Sequence, residues 1–220
     1  MSETKTVRAG NSAKTMSVVQ IALFAAVIVI MAFTPFLGFI PLGFTRATII
    51  HIPVIIGSIL FGPVQGAVLG FVFGLTSFVN ATMNPTVTSF VFTPFYSVGD
   101  IHGGFGSLII CFVPRILTGV VPYYVYRLFD KIGKNYPKKQ TLALGMAGLT
   151  GSLTNTLLVM NFIYVLFGES YAAVQNVSVK SLYGVILSVI LVNGIPEAIV
   201  AVCVVTLVTR TLLHIKFVRR

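Results

Sequence analysis

Three ionisable side chains, His51, Arg115 and Glu197, stand in or at the edge of long apolar runs. Placing an Arg or an acid at the centre of a bilayer costs about 2.5–3.5 kcal/mol on insertion scales, so each is expected to face protein or water and to have a partner. Arg115 follows Pro114 and Glu197 follows Pro196. Two arrangements are open for them: a mutual ion pair that locks two helices together, or separate contacts with a bound ligand. Asn193 lies four residues before Glu197 and shares its helix face, which suits either a cavity wall or a polar contact between helices. His51, just ahead of Pro53, reads first as a satisfied interfacial histidine.

Neutral polar groups gather in two connections. The first, Thr34 to Thr48, carries two Pro, two Gly and the lone cation Arg46, a composition that limits helix and suits a lid. The second, from about Asn80 through Phe105, sets Asn80, Asn84, Thr86, Thr88, Tyr96, Asp100 and His102 among four Phe residues. Long connections without clear secondary structure are more often functional than filler. Amides and hydroxyls among aromatics suit a small polar ligand with an apolar body. The plainer alternative is a re-entrant loop whose polar groups satisfy its own backbone. Further along, Asn155 and Asn161 are about 240° apart on a helical wheel and cannot both face one cavity without a bend. Asn155, beside Thr154 and near Gly151, is the preferred one of the two.

These groups must be held by elements that cross a membrane. The chain is 56% hydrophobic and 9% charged, with a mean hydropathy of +0.96, well outside the range of soluble domains. Apolar runs over about 16–34, 49–61, 64–80, 106–127, 140–168 and 182–213 predict a single all-α integral membrane domain, residues 1–220, of six transmembrane helices with long extracellular loops. The second and third runs are short and parted only by Phe61-Gly62-Pro63, so they form a tight hairpin or one kinked helix.

Charge supplies the orientation. Lys5, Arg8, Lys14, Arg127, Lys131, Lys134, Lys138, Lys139, Arg210, Lys216, Arg219 and Arg220 fall on one side of a six-span topology, Arg46 and Lys180 on the other, and Arg115 inside a span. The positive-inside rule then puts both termini, including the basic stretch 1–15, in the cytoplasm. The net charge of +10 needs no nucleic-acid partner, since the basic residues flank spans rather than forming a patch interleaved with stacking aromatics.

Several functions are disfavoured. No Walker-type phosphate loop, zinc-binding His-Glu-x-x-His helix or Gly-x-Ser-x-Gly elbow occurs, so an enzyme or self-powered pump is not expected. Cys111 and Cys203 lack metal or redox spacing and read as buried, reduced thiols. The first span is too long for a signal peptide and lacks a small-residue cleavage site, so it is kept as mature structure. With five acids in the chain, a proton or sodium relay is hard to assemble. A solitary ion-coupled carrier working through Glu197 stays open as an alternative.

Small residues mark packing surfaces. Gly66, Gly70 and Gly74 form a smooth stripe on the third span, and Ala22 and Ala26 stand four apart on the first. Taken with the lid-like first loop, the six spans and the segment Ser107-Leu-Ile-Ile-Cys-Phe-Val-Pro-Arg-Ile-Leu-Thr-Gly119, the chain resembles the substrate-binding S components of energy-coupling factor vitamin transporters. The runs His51 to Pro63 and Gly74 to Asn80 look most like the pantothenate-type members. Folate, riboflavin and pyrimidine-precursor members are close competitors.

The resemblance implies a binding subunit in the bacterial cell membrane that holds no cofactor. It would join a transmembrane scaffold subunit and two cytoplasmic ATPases, which use the ATP, and would tip over in the bilayer to carry its vitamin inward. Ala22 and Ala26 would match the small residues against which the scaffold packs. For pantothenate, with one carboxylate, one amide and two hydroxyls, a cation is the strongest single element of a site. Arg46 on the lid is placed slightly ahead of Arg115, with Asn80, Asn84, Tyr96 and Asn155 for the amide and hydroxyls.

Overall fold

The computed structural model describes residues 3–34, 37–41, 46–132 and 139–215, with backbone alone for 3–14 and for the strand residues 39–41, 46 and 47. Helix α1 spans Glu3–Phe33, so the polar leader is continuous with the first apolar run. A short antiparallel hairpin follows, β1 (Phe39–Pro41) and β2 (Arg46–Thr48), with Phe39 opposite Thr48 and Pro41 opposite Arg46. Leu42 to Thr45, at the tip of the expected lid, lie outside the described residues.

Helix α2 (His51–Phe61) and helix α3 (Pro63–Met83) are separate helices. Gly62 parts them at φ +106°, a left-handed conformation that a side chain rarely tolerates, and Pro63 opens α3, where its missing N–H costs nothing. Eleven residues make a rod of about 16 Å, well short of the bilayer's hydrocarbon core of about 30 Å. Every residue of α2 from His51 to Leu60 is buried. The expectation of six spans, the second and third of them short, is therefore refined: among the described residues, five helices are long and apolar enough to cross a membrane, and α2 is a short helix packed inside them.

The connection between α3 and α4 has more structure than its composition suggests. A single 3-10 turn (Ser89–Val91) and a two-residue hairpin, β3 (Ser97–Val98) with β4 (Ile101–His102), occupy it. Gly99 takes the left-handed conformation at the hairpin tip. Helix α4 (Phe105–Ile132) contains Pro114 and Pro122. Helix α5 (Lys139–Val174) departs from helical geometry at Phe167, where the apolar run was expected to end. The last run divides into α6 (Val179–Val189), a π-helical turn (Ile190–Gly194) and α7 (Ile195–His214). Pro196 has no N–H to give the carbonyl of Val192, four residues back, and the ladder is re-registered at that place.

In lipid, close approach of backbones replaces the hydrophobic drive as the source of helix association. The glycine stripe supplies it: a Cβ on Gly66 would strike the Gly119 carbonyl, one on Gly70 the Arg115 carbonyl, and one on Gly74 the Phe112 ring. The stripe thus seats α3 directly on α4. A second cluster, Ile52, Ile55, Ile56 and Ile59 of α2 against Ala143, Leu144 and Ala147 of α5 and Ala201 and Val205 of α7, centres the bundle on the short helix. Cys111 is buried and donates to the Gly74 carbonyl at 3.3 Å. Cys203, by contrast, faces outward from α7, so its expected burial does not hold.

Candidate binding cavity

A cavity of about 270 Å³ opens beside the hairpin strand β2, walled by α3, α4 and α5 and by the turn after α3. The α3 wall is a single helical face: Phe73, Thr76, Ser77, Asn80, Ala81 and Asn84 all line it, at the three- and four-residue steps that stack side chains along one stripe. The polar ones were legible only from Asn80 onward. Thr76 and Ser77 were missed, and extending the helical period back from Asn80 is the signal that finds them.

Arg115 lines the cavity from α4 and is 7% exposed. Its Nη1 donates to the Ile110 carbonyl at 2.6 Å. The guanidinium carbon lies 5.1 Å from the Phe92 ring centre and 5.6 Å from that of Phe73, both within cation–π range. Nε is buried without a hydrogen-bond partner. Of the two arrangements open for it, the pairing with Glu197 is not formed: among the described residues the one ion pair is Lys139 with Asp130, at 4.0 Å. A positive charge thus faces a polar cavity with no acid to neutralise it.

Asn155 enters from α5. It is buried, lines the cavity, and its Oδ1 has no hydrogen-bond partner. Asn161 instead returns its amide to the Leu157 carbonyl of its own helix. Asn84 donates to Asn80 Oδ1 at 2.9 Å, which pre-orders the two amides of α3. Thr86 and Ser89 complete the rim, with the Thr86 backbone N–H on the Ser89 hydroxyl at 2.8 Å. Part of the connection does satisfy its own backbone, as the plainer reading held, while the rest faces the cavity.

The remaining residues that the sequence singled out stand elsewhere. Tyr96 packs against the hydrophobic cluster of Phe90, Val91 and Ile110, away from the cavity lining. Asn193 sits in the π turn with a buried, unpartnered Oδ1, again outside that lining. Glu197 does not line the cavity but bonds to its edge: Oε1 accepts from the Thr48 backbone N–H at 2.6 Å and Oε2 from Thr156 Oγ1 at 3.0 Å. His51 is fully buried in the first turn of α2, and neither ring nitrogen has a hydrogen-bond partner, so it is not the satisfied histidine that was expected. Arg46 belongs to β2, two residues before Thr48; its side chain lies outside what the structure describes. Ala22 and Ala26 are both exposed on α1.

Among the described residues the cavity offers one cation, Arg115, a rank of amides and hydroxyls, and the aromatic faces of Phe73 and Phe92. It suits an anionic molecule with amide or hydroxyl groups. Among the described residues no group of three or more His, Cys, Asp or Glu converges to hold a metal ion.

Comparison with known proteins agrees with this architecture. A family model described as "ECF transporter, substrate-specific component" matches residues 16–209. The chain is 42% identical over 197 residues to the pantothenic acid transporter PanT of Lactococcus lactis subsp. cremoris, covering 86% of this chain and 96% of that protein. It is 28% identical over 206 residues to the pantothenate transporter PanT of Leuconostoc mesenteroides subsp. mesenteroides, covering 92% and 94%. With five membrane-length helices among the described residues and a family match across most of its length, the chain is a multi-pass membrane protein that belongs to the substrate-specific components of ECF transporters.

Proposed function

We propose that this chain is the pantothenate-binding subunit of an ECF-type importer, with its termini in the cytoplasm and its cavity opening to the outside. One observation carries the reading. A buried guanidinium that has no acid partner within 4.0 Å among the described residues lines the same cavity as three amides, Asn80, Asn84 and Asn155. Pantothenate presents the complementary set: one carboxylate, one amide and two hydroxyls. Arg115 takes the carboxylate at the floor, Arg46 meets it from the lid, and the unpartnered Oδ1 of Asn155 accepts from the ligand's amide or a hydroxyl. The aromatic faces of Phe73 and Phe92 cover its apolar carbons.

The chain binds and delivers its vitamin without hydrolysing ATP itself. A transmembrane scaffold subunit and two cytoplasmic ATPases supply the energy, and the exposed Ala22 and Ala26 on α1 offer the scaffold a surface of close approach. The six-span topology is completed by the short helix α2, and twelve of the fifteen basic residues then fall on the cytoplasmic side.

Calorimetry on the purified chain and uptake by reconstituted liposomes test both halves of the proposal. The chain alone binds pantothenate but accumulates none. Accumulation appears when scaffold, ATPases and ATP are added. Gradient-driven uptake by the chain alone would instead identify a solitary carrier, and failure to bind pantothenate would remove the assignment of this vitamin.

A further inference from the structure

Glu197 lies in the first turn of α7, immediately after the π turn that Pro196 imposes, and is 5% exposed. A carboxylate so deep in an apolar bundle is expected to be matched by a cation, and among the described residues none is within 4.0 Å. Both oxygens are nevertheless occupied. Oε1 holds the Thr48 backbone N–H, and Oε2 holds the Thr156 hydroxyl. The first of these bonds, at 2.6 Å, has the short length of a charge-assisted contact.

The partners matter by their positions. Thr48 is the last residue of β2 and lines the cavity. Thr156 follows Asn155, which lines the cavity from the opposite helix. Backbone pairing inside the hairpin runs between β1 and β2 and does not fix the hairpin to the bundle. Beside the packing of Gly38 on Ile50 and the Met31 carbonyl, the Glu197 carboxylate supplies that link, and it reaches backbone, so the contact survives a change of side chain at Thr48 that keeps the N–H.

We propose that Glu197 is a positioning residue for the strand beside the cavity: its carboxylate ties Thr48, at the end of β2, to α5 and α7 at the edge of the cavity, and thereby sets how long a bound ligand stays. The ligand half of this statement rests on the function proposed above, whereas the tether itself does not.

Two readouts separate those halves. Hydrogen exchange is followed on the whole ligand-free protein in nanodiscs, in peptides covering residues 46–50 and, as reference, 105–119. Glu197→Ala removes both acceptors. Glu197→Gln keeps a carbonyl for Thr48, and its amide donates to the Thr156 oxygen. Loss of a hydrogen bond to a charged group predicts exchange at 46–50 faster by about ten-fold or more in Glu197→Ala, with 105–119 unchanged and Glu197→Gln close to the parent. The pantothenate dissociation rate rises by a similar factor in Glu197→Ala, while the association rate changes little.

Unchanged exchange at 46–50 in Glu197→Ala overturns the tether, and so does a Glu197→Gln protein as fast as the alanine variant. If Glu197→Ala does not fold, the parent protein decides: a tethered Thr48 amide is protected like that of Ile49, which the Gly38 carbonyl holds at 3.0 Å, and exchanges more slowly than the Arg46 amide; a Thr48 amide as fast as Arg46 sinks the proposal. A protein that shows the exchange pattern but binds no pantothenate retains the tether and loses the vitamin assignment.

Discussion

Arg115 caps a carbonyl that its own neighbour sets free. Pro114 has no N–H for the carbonyl of Ile110, four residues earlier, and Arg115 Nη1 fills that vacancy at 2.6 Å. The adjacent pair Pro-Arg is therefore one device: the proline opens the ladder and the arginine closes it with a charged donor. The guanidinium is held from its own helix and flanked by Phe73 and Phe92, so its fork is pre-organised at the cavity and needs no acid to orient it.

Substitution at Arg115 should abolish discrimination by charge. Arg115→Lys leaves a point charge that cannot both cap Ile110 and present a planar fork. Binding of pantothenate is expected to weaken by about ten- to a hundred-fold, the scale of one lost charge-assisted bond, while binding of the corresponding neutral alcohol weakens far less. Calorimetry with both ligands measures the difference; equal losses would assign Arg115 a packing role. The same pair of ligands applied to Arg46→Ala reports whether the lid cation shares the carboxylate.

Asn155 should trade stability for affinity. Its buried Oδ1 lacks a partner in the ligand-free protein, a condition that costs about 1–3 kcal/mol. Asn155→Leu is expected to keep or raise the melting temperature without ligand and to lose most of the rise that pantothenate gives the parent. Thermal shift with and without the vitamin reads both. A large fall in ligand-free stability would mean that the amide is structural.

The glycine seam should resist even one methyl group. Gly66→Ala drives a Cβ into the Gly119 carbonyl, and overpacking of this kind costs about 1–3 kcal/mol. The expected result is a lower melting temperature and less monodisperse protein on size-exclusion chromatography. Gly145→Ala is the control, because a Cβ there meets only side-chain atoms at 3.7 Å.

Bulk on the outer face of α1 should separate binding from transport. Ala22 and Ala26 are exposed and do not line the cavity. Ala26→Phe is expected to leave pantothenate affinity within about two-fold, as for surface changes remote from a site, and to prevent co-purification with the scaffold subunit. Intact assembly with normal uptake would move the partner surface elsewhere.

Much of this arrangement was legible in the chain because lipid demands long apolar runs and close packing demands glycine. The positions of the spans and the seam of Gly66, Gly70 and Gly74 follow from those two constraints. The side-chain constellation was legible only in part. Asn80, Asn84, Arg115 and Asn155 converge on one cavity, whereas Tyr96, Asn193 and Glu197 stand outside its lining.

The reasons are local. Assigning Asn193 and Glu197 to one face assumed an uninterrupted α-helix, and the π turn over Ile190–Gly194 shifts the phase between them. Tyr96 is drawn into a neighbouring core by its ring, which outweighs the pull of its hydroxyl toward a polar site. Charge alone left a mutual Arg115–Glu197 pair and separate ligand contacts both open, because it does not show that each group finds a backbone partner of its own.

The glycine seam also bears on how a ligand can enter. Where Gly66 and Gly70 meet the backbone of α4 there is no intervening side chain to rotate aside, so α3 and α4 behave as one plank that can neither slide nor part by small steps. Arg115, Asn80 and Asn84 ride on that plank at fixed spacing. On the other side of the cavity, β2 joins the bundle through the Glu197 contact with the Thr48 backbone and the packing of Gly38 on Ile50, and a ligand that enters is expected to displace that side rather than the binding wall.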